Sequence, residues 1–116
     1  MITVAIAYNR DTREASLRLL GHAGYAEEGQ DIVCASASIL AYTVAQIVKA
    51  MEHHGDLVEP PLIRLDGGDA AIVCQAKDDD LYAEVLHTYF VAQTGYSLLA
   101  YNYPQYVELI LDDRGL

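Results

Sequence analysis

The run Gly21-His22-Ala23-Gly24-Tyr25-Ala26-Glu27-Glu28-Gly29-Gln30-Asp31-Ile32-Val33-Cys34-Ala35-Ser36-Ala37-Ser38-Ile39-Leu40 decides how the rest of the chain is read. A histidine at one end and a cysteine near the other flank a loop with glycines at both ends. Asp31 is a good N-cap, because its carboxylate can accept from the free amides of the following turn. Ile32 and Val33 then fill the first two helical positions, and Cys34 falls beside unpaired backbone amides. Positive potential at a helix N-terminus and a nearby imidazole are the standard means of holding a cysteine as thiolate. Two local features thus point to a cysteine nucleophile with a histidine partner. Gly24 and Gly29 give the loop access to positive φ, and Tyr25 is its only large apolar residue, which suits a mobile flap over a site. Two roles are open for Asp31: orienting His22 or capping the helix. The spacing also fits a buried cysteine that only fills space.

Outward from this run, Ile2, Val4, Ile6 and Tyr8 alternate with smaller residues as a strand does. Asn9 to Arg13 form a polar turn. Residues 15–22 suit either element: Asp11 or Thr12 could cap a helix, yet Leu17 and Leu19 alternate with Ser16 and Arg18. From residue 31 to about 54, Val33, Ala37, Leu40, Val44, Ile47 and Met51 recur at helical spacing, and Gly55 ends the run. Pro60-Pro61 precede a strand near Leu62 to Leu65, and Asp66-Gly67-Gly68-Asp69 is a hairpin turn leading into Ala70 to Ala76. Asp78 to Asp80 open a second helix with the stripe Leu81, Val85, Tyr89, Ala92, Tyr96 and Leu99, and residues 105–111 read as a last strand. The order β-β-α-β-β-α-β, linked by hairpins, implies an α+β domain over residues 1–116. Its expected form is a mixed, largely antiparallel sheet of about five strands covered by two helices.

The run Gly21-His22-Ala23, Gly29, Asp31-Ile32-Val33-Cys34-Ala35 and Ser38 resembles the signature of the ribosomal-processing cysteine protease Prp family. The likeness extends over nearly the whole chain in length and element order, with its specific part in residues 21–40. Ser36 departs from it, standing where a smaller apolar residue is expected. The resemblance also favours a strand over residues 15–22. It implies His22 as general base, Cys34 as nucleophile, supporting positions at Asp31 and Ser38, a homodimer, and a substrate. That substrate is ribosomal protein L twenty-seven of the large subunit, whose N-terminal extension is removed.

Composition is compatible with that reading. One domain of 116 residues that is 53% hydrophobic can bury a core, and no apolar run reaches the length of a bilayer span. Only two cysteines and no export signal imply reduced thiols and a cytoplasmic location. A net charge of −10 disfavours direct nucleic-acid binding and favours a basic polypeptide partner. No membrane partner, cofactor or metal site is expected: Cys74 reads as core, and His53, His54 and His87 have no ligand spacing beyond their adjacent pair. Two other classes stay open: a non-catalytic acidic module binding a basic ribosomal protein, and a thiol-based redox protein or small-molecule hydrolase.

Overall fold

In the computed structural model, which describes residues 1–116, β1 (Ile2–Asn9) and β2 (Glu14–Leu20) form a hairpin through the polar turn. Thr12 closes that turn by donating its amide to Asn9 Oδ1 at 3.2 Å. Residues 15–20 are strand because Ala15, Leu17 and Leu19 then face the same side as their partners Tyr8, Ile6 and Val4. A helix would scatter these side chains over two faces.

α1 (Ile32–His53) follows, then the hairpin of β3 (Leu62–Asp66) and β4 (Asp69–Gln75), α2 (Asp79–Asn102) and β5 (Val107–Gly115). The sheet order is β3-β4-β2-β1-β5. β1 pairs with β5 in parallel, and the other three neighbouring pairs are antiparallel. The expected α+β architecture is therefore observed: a mixed, mainly antiparallel five-stranded sheet with two helices.

One face of the sheet supplies Val4, Ile6, Leu17, Ile72 and Val107 to a single core with both helices. The alternating residues Thr3, Ala5, Ala7, Ser16 and Arg18 of the other face are half-buried or exposed. Three tyrosines of α2, at 82, 89 and 96, are fully buried, and each hydroxyl has a partner. A buried phenol left unpaired would be costly. The Tyr96 hydroxyl donates to Ala37 O at 2.9 Å, which fastens the first turns of α1 to α2.

Three expectations shift. In α1, Val33, Ala37, Val44 and Met51 are buried as expected, but Ala41, Ala45 and Val48 complete the stripe, whereas Leu40 is half-buried and Ile47 is 41% exposed. Alanines let α1 approach its neighbours closely; a methyl on Gly95 of α2 would lie 2.7 Å from Leu40 Cδ1. In α2, Tyr82 is buried and Leu81 and Leu99 are only half-buried. The last strand begins at Val107 rather than 105, because Tyr106 and Val107 both donate to Tyr103 O in a turn.

By length and composition alone α1 is apolar enough to cross a membrane, contrary to the sequence reading. Its isoleucines, valines and leucine carry most of that apolarity, and in this fold its buried stripe packs into the core.

Candidate functional site

Cys34 lies in the first turn of α1, half-buried, where Asp31 caps the helix in extended conformation. Asp31 Oδ1 accepts from the amides of Val33 (3.0 Å) and Cys34 (2.9 Å). Its Oδ2 accepts from Tyr25 (3.0 Å) and Ala26 (3.2 Å). One carboxylate thus caps the helix and also pins the incoming loop. Burial by itself would raise its pKa, but the bonds from Cys34, Ala26, Tyr25 and Val33 outweigh burial and hold it below the ordinary 3.8. Of its two open roles, this geometry satisfies capping: all four donors are backbone amides, none of them His22. The Cys34 amide, a natural oxyanion donor by position, is occupied by Asp31 here.

The sulfur receives a hydrogen bond from the Ala23 amide at 3.3 Å. His22, one residue earlier, is exposed and follows the end of β2. Its neighbour Gly21 has φ +93, and any side chain there would strike the Met1 carbonyl. Gly21 also donates its amide to Gly68 O at 2.9 Å, so the backbone entering His22 is held by the β3–β4 turn. The imidazole lies over Gly68.

His22 and Cys34 line one cavity of about 510 Å³, together with Gly24, Gly29, Asp31 and Ser38. Ser38 stands one turn beyond Cys34 on α1. Ile2, Leu19, Leu65, Ala37 and Ala41 supply apolar lining, and Tyr42 stands beside them on α1. Glu28, Asp66 and Asp69 contribute carboxylates. Asp69 is paired with Arg64 at 3.0 Å.

Tyr25 lies outside the cavity lining. It packs edge-on against Tyr103 (5.6 Å between ring centroids) and Tyr106 (5.2 Å), at the corner between α2 and β5. Gly24 and Gly29 adopt φ +71 and +86. The loop is therefore anchored at Tyr25 while every residue from 24 to 30 remains exposed.

In the sequence Asp66 to Asp69 read as a turn only, and nothing there singles out Tyr42, Leu65 or the Tyr103–Tyr106 pair as belonging to the site. The double glycine was the one visible signal, and it says nothing about which side chain the turn will meet. Cys74 is buried in β4, 3.7 Å from the Tyr89 hydroxyl, and burial pushes its thiol up to about 11. His54 caps the C-terminus of α1, and His53, His54 and His87 are all exposed.

A half-buried thiol and an imidazole sharing an open groove are the equipment of a thiol peptidase, and the chain is a cysteine protease. It belongs to the Prp family: the family model described as cysteine protease Prp matches residues 1–108. This membership sets aside the non-catalytic module.

The fold is similar to that of an essential ribosomal-processing protease Prp from S. aureus, solved with a covalently linked product peptide. That structure has a TM-score of 0.71 and 28% identity, covering 97% of this chain and 100% of the other. The S. aureus protease solved with a substrate peptide gives 0.63 and 25%, over 97% and 100%. A protein from Streptococcus mutans gives 0.66 and 25%, over 98% and 96%. No curated protein matches the chain.

Proposed function

We propose that this protease removes the N-terminal extension of ribosomal protein L twenty-seven, with Cys34 as nucleophile and His22 as general base and acid. The observation that carries the reading is the shared cavity of His22 and Cys34, with the sulfur beside the first turn of α1. The S. aureus relative, described as ribosomal-processing and solved with a covalently linked peptide, supports the substrate class. A net charge of −10 suits a basic ribosomal protein.

The Cys34 thiolate attacks the scissile carbonyl, and a tetrahedral oxyanion forms. His22, as imidazolium, protonates the leaving amine, and the acyl group remains on sulfur as a thioester. Water then attacks the thioester with His22 as base, releasing the carboxylate product and the thiol. For proton transfer, the His22 ring and the sulfur must come within hydrogen-bond reach of each other across the cavity that they share. Such bonds are often long in a free enzyme and tighten when substrate binds. The Ala23 amide already points at the sulfur and can hold developing negative charge. Movement of the loop over residues 23–30 accompanies peptide entry.

Two free thiols suit a reducing cytoplasm. The exposed Ile39, Ile47, Val91 and Leu98 of the helical layer support a homodimer, testable by sedimentation.

The deciding assay incubates the enzyme with the extended ribosomal protein and reads the product by mass. Cleavage at the extension is expected, with none by the Cys34→Ala protein. Cleavage undiminished in Cys34→Ala would overturn the nucleophile assignment. An intact precursor with cleavage of unrelated peptides would overturn the substrate.

A further inference from the structure

We propose that Gly68, in the β3–β4 turn, is a positioning residue that seats the His22 imidazole, in the role a third, orienting group has in a catalytic triad. The inference rests on His22 being the base. A methyl group on Gly68 would lie 2.6 Å from His22 Nε2, 3.0 Å from Cε1 and 3.3 Å from Cδ2. The ring therefore occupies the space that only a glycine leaves open.

The usual orienting group would be a carboxylate accepting from the imidazole. Of the cavity's carboxylates, Asp31 has both oxygens engaged by backbone amides, Asp69 is paired with Arg64, and none accepts a hydrogen bond from His22. The turn supplies contact on two sides instead. Its carbonyl at Gly68 holds the Gly21 amide, and its bare α-carbon supports the ring. The turn is itself braced by the Arg64–Asp69 ion pair across the β3–β4 ladder.

Seat and strain can be separated. Gly68 has φ +76, so any L-residue there bears backbone strain as well as the clash. Gly55 has φ +78, and a methyl there would meet nothing within 4 Å, so a residue at 55 bears the strain alone. The atoms that a side chain at 68 would meet are the far end of His22, which can swing aside at little cost to the fold. What swings is the base.

The test compares Gly68→Ala and Gly68→Asn with Gly55→Ala and Gly55→Asn, alongside His22→Ala, on the complete chain. Asparagine tolerates positive φ but carries the same β-carbon. Both alanine variants should lose similar thermal stability. The residue-68 variants should lose roughly 10–100-fold in kcat, the range that misplacing a catalytic group by about 1 Å can reach. KM should stay near wild type, and the pH–rate limb belonging to His22 should move. The residue-55 variants should stay within about twofold of wild type, since a loop far from the chemistry carries no transition-state contact. In the wild-type protein, NMR should give cross-relaxation between the His22 ring protons and the Gly68 α-protons. That readout stands even where a variant fails to fold.

Residue-68 variants no worse in kcat than their residue-55 counterparts, or absence of that cross-relaxation, would overturn the seat while leaving the base assignment intact. Full activity in His22→Ala would instead remove the base assignment, and the seat with it.

Discussion

Tyr25→Ala removes the aromatic anchor of the loop while leaving both Asp31 bonds to it in place. An edge-to-face pair contributes about 0.5–1.5 kcal/mol beyond area burial. The Tyr25 ring makes two, with Tyr103 and Tyr106, but the residue is 43% exposed, so the low end of that range applies to each. Together they hold the loop by about 1 kcal/mol; with 1.4 kcal/mol per tenfold, the open population should rise about fivefold. Hydrogen exchange reads this directly. The Tyr25 and Ala26 amides report rupture of the Asp31 bonds, and the Ala23 amide reports rupture of its bond to the sulfur. Protection at those three amides should fall about fivefold, with no change in α1 beyond its first turn. Alkylation of Cys34 by a small reagent should quicken by a similar factor. An uncleavable peptide bound to the Cys34→Ala protein should raise protection across 23–30. Unchanged exchange in Tyr25→Ala would refute the anchor. Protection in the free wild-type loop equal to that of the α1 core would refute gating altogether.

Cys74→Ser should retain cleavage activity and lose about 1–2 kcal/mol of stability, since Cys74 sits in the core away from the cavity; an activity assay beside thermal melting checks both. Near neutral pH, limited alkylation followed by peptide mapping should label Cys34 well before Cys74, whose thiol burial pushes up to about 11. His22→Ala should abolish most turnover, because nucleophile and base act as a unit, and should slow Cys34 alkylation near neutral pH; both are read in one stopped-time series. Acid should release the loop through Asp31. Its folded pKa lies below the ordinary 3.8, so its stabilising contribution is complete above that value and fades as pH falls through the folded one. Protection at Tyr25 and Ala26, taken against the intrinsic exchange rate at each pH, should therefore fall only below about pH 4, and its loss already at pH 6 would contradict the assignment.

The parts of this molecule that were readable in advance are those whose partners lie within a turn or two along the chain. Asp31 caps the helix that holds Cys34, three residues on, and that needs no knowledge of the rest. The Asp66–Asp69 turn and the alternation of β1 are equally local. Residues 15–20 were not, since alternation and a possible cap competed there, and pairing to β1 and β4 decides for strand. The same distinction explains the α1 stripe. Leucine and isoleucine at 40 and 47 look like core, yet the close approach of α1 to its neighbours favours the alanine face.

The contacts that define the site are mostly long-range, and that bears on how the loop works. Tyr25 meets rings at 103 and 106, and His22 meets the turn at Gly68; neither pairing can be inferred until the strand order is known. Asp31 joins the two scales. Through Oδ1 it belongs to the helix, and through Oδ2 to the loop. Displacing Oδ2 frees Tyr25 and Ala26, whereas freeing the Cys34 amide for an oxyanion requires Oδ1 to move as well. One rigid carboxylate holds both sets, so a turn of that group bears on the loop and on the oxyanion donor together. In the free protein the Cys34 amide is held by Asp31, and an acyl oxyanion could use that donor only once Oδ1 has turned away.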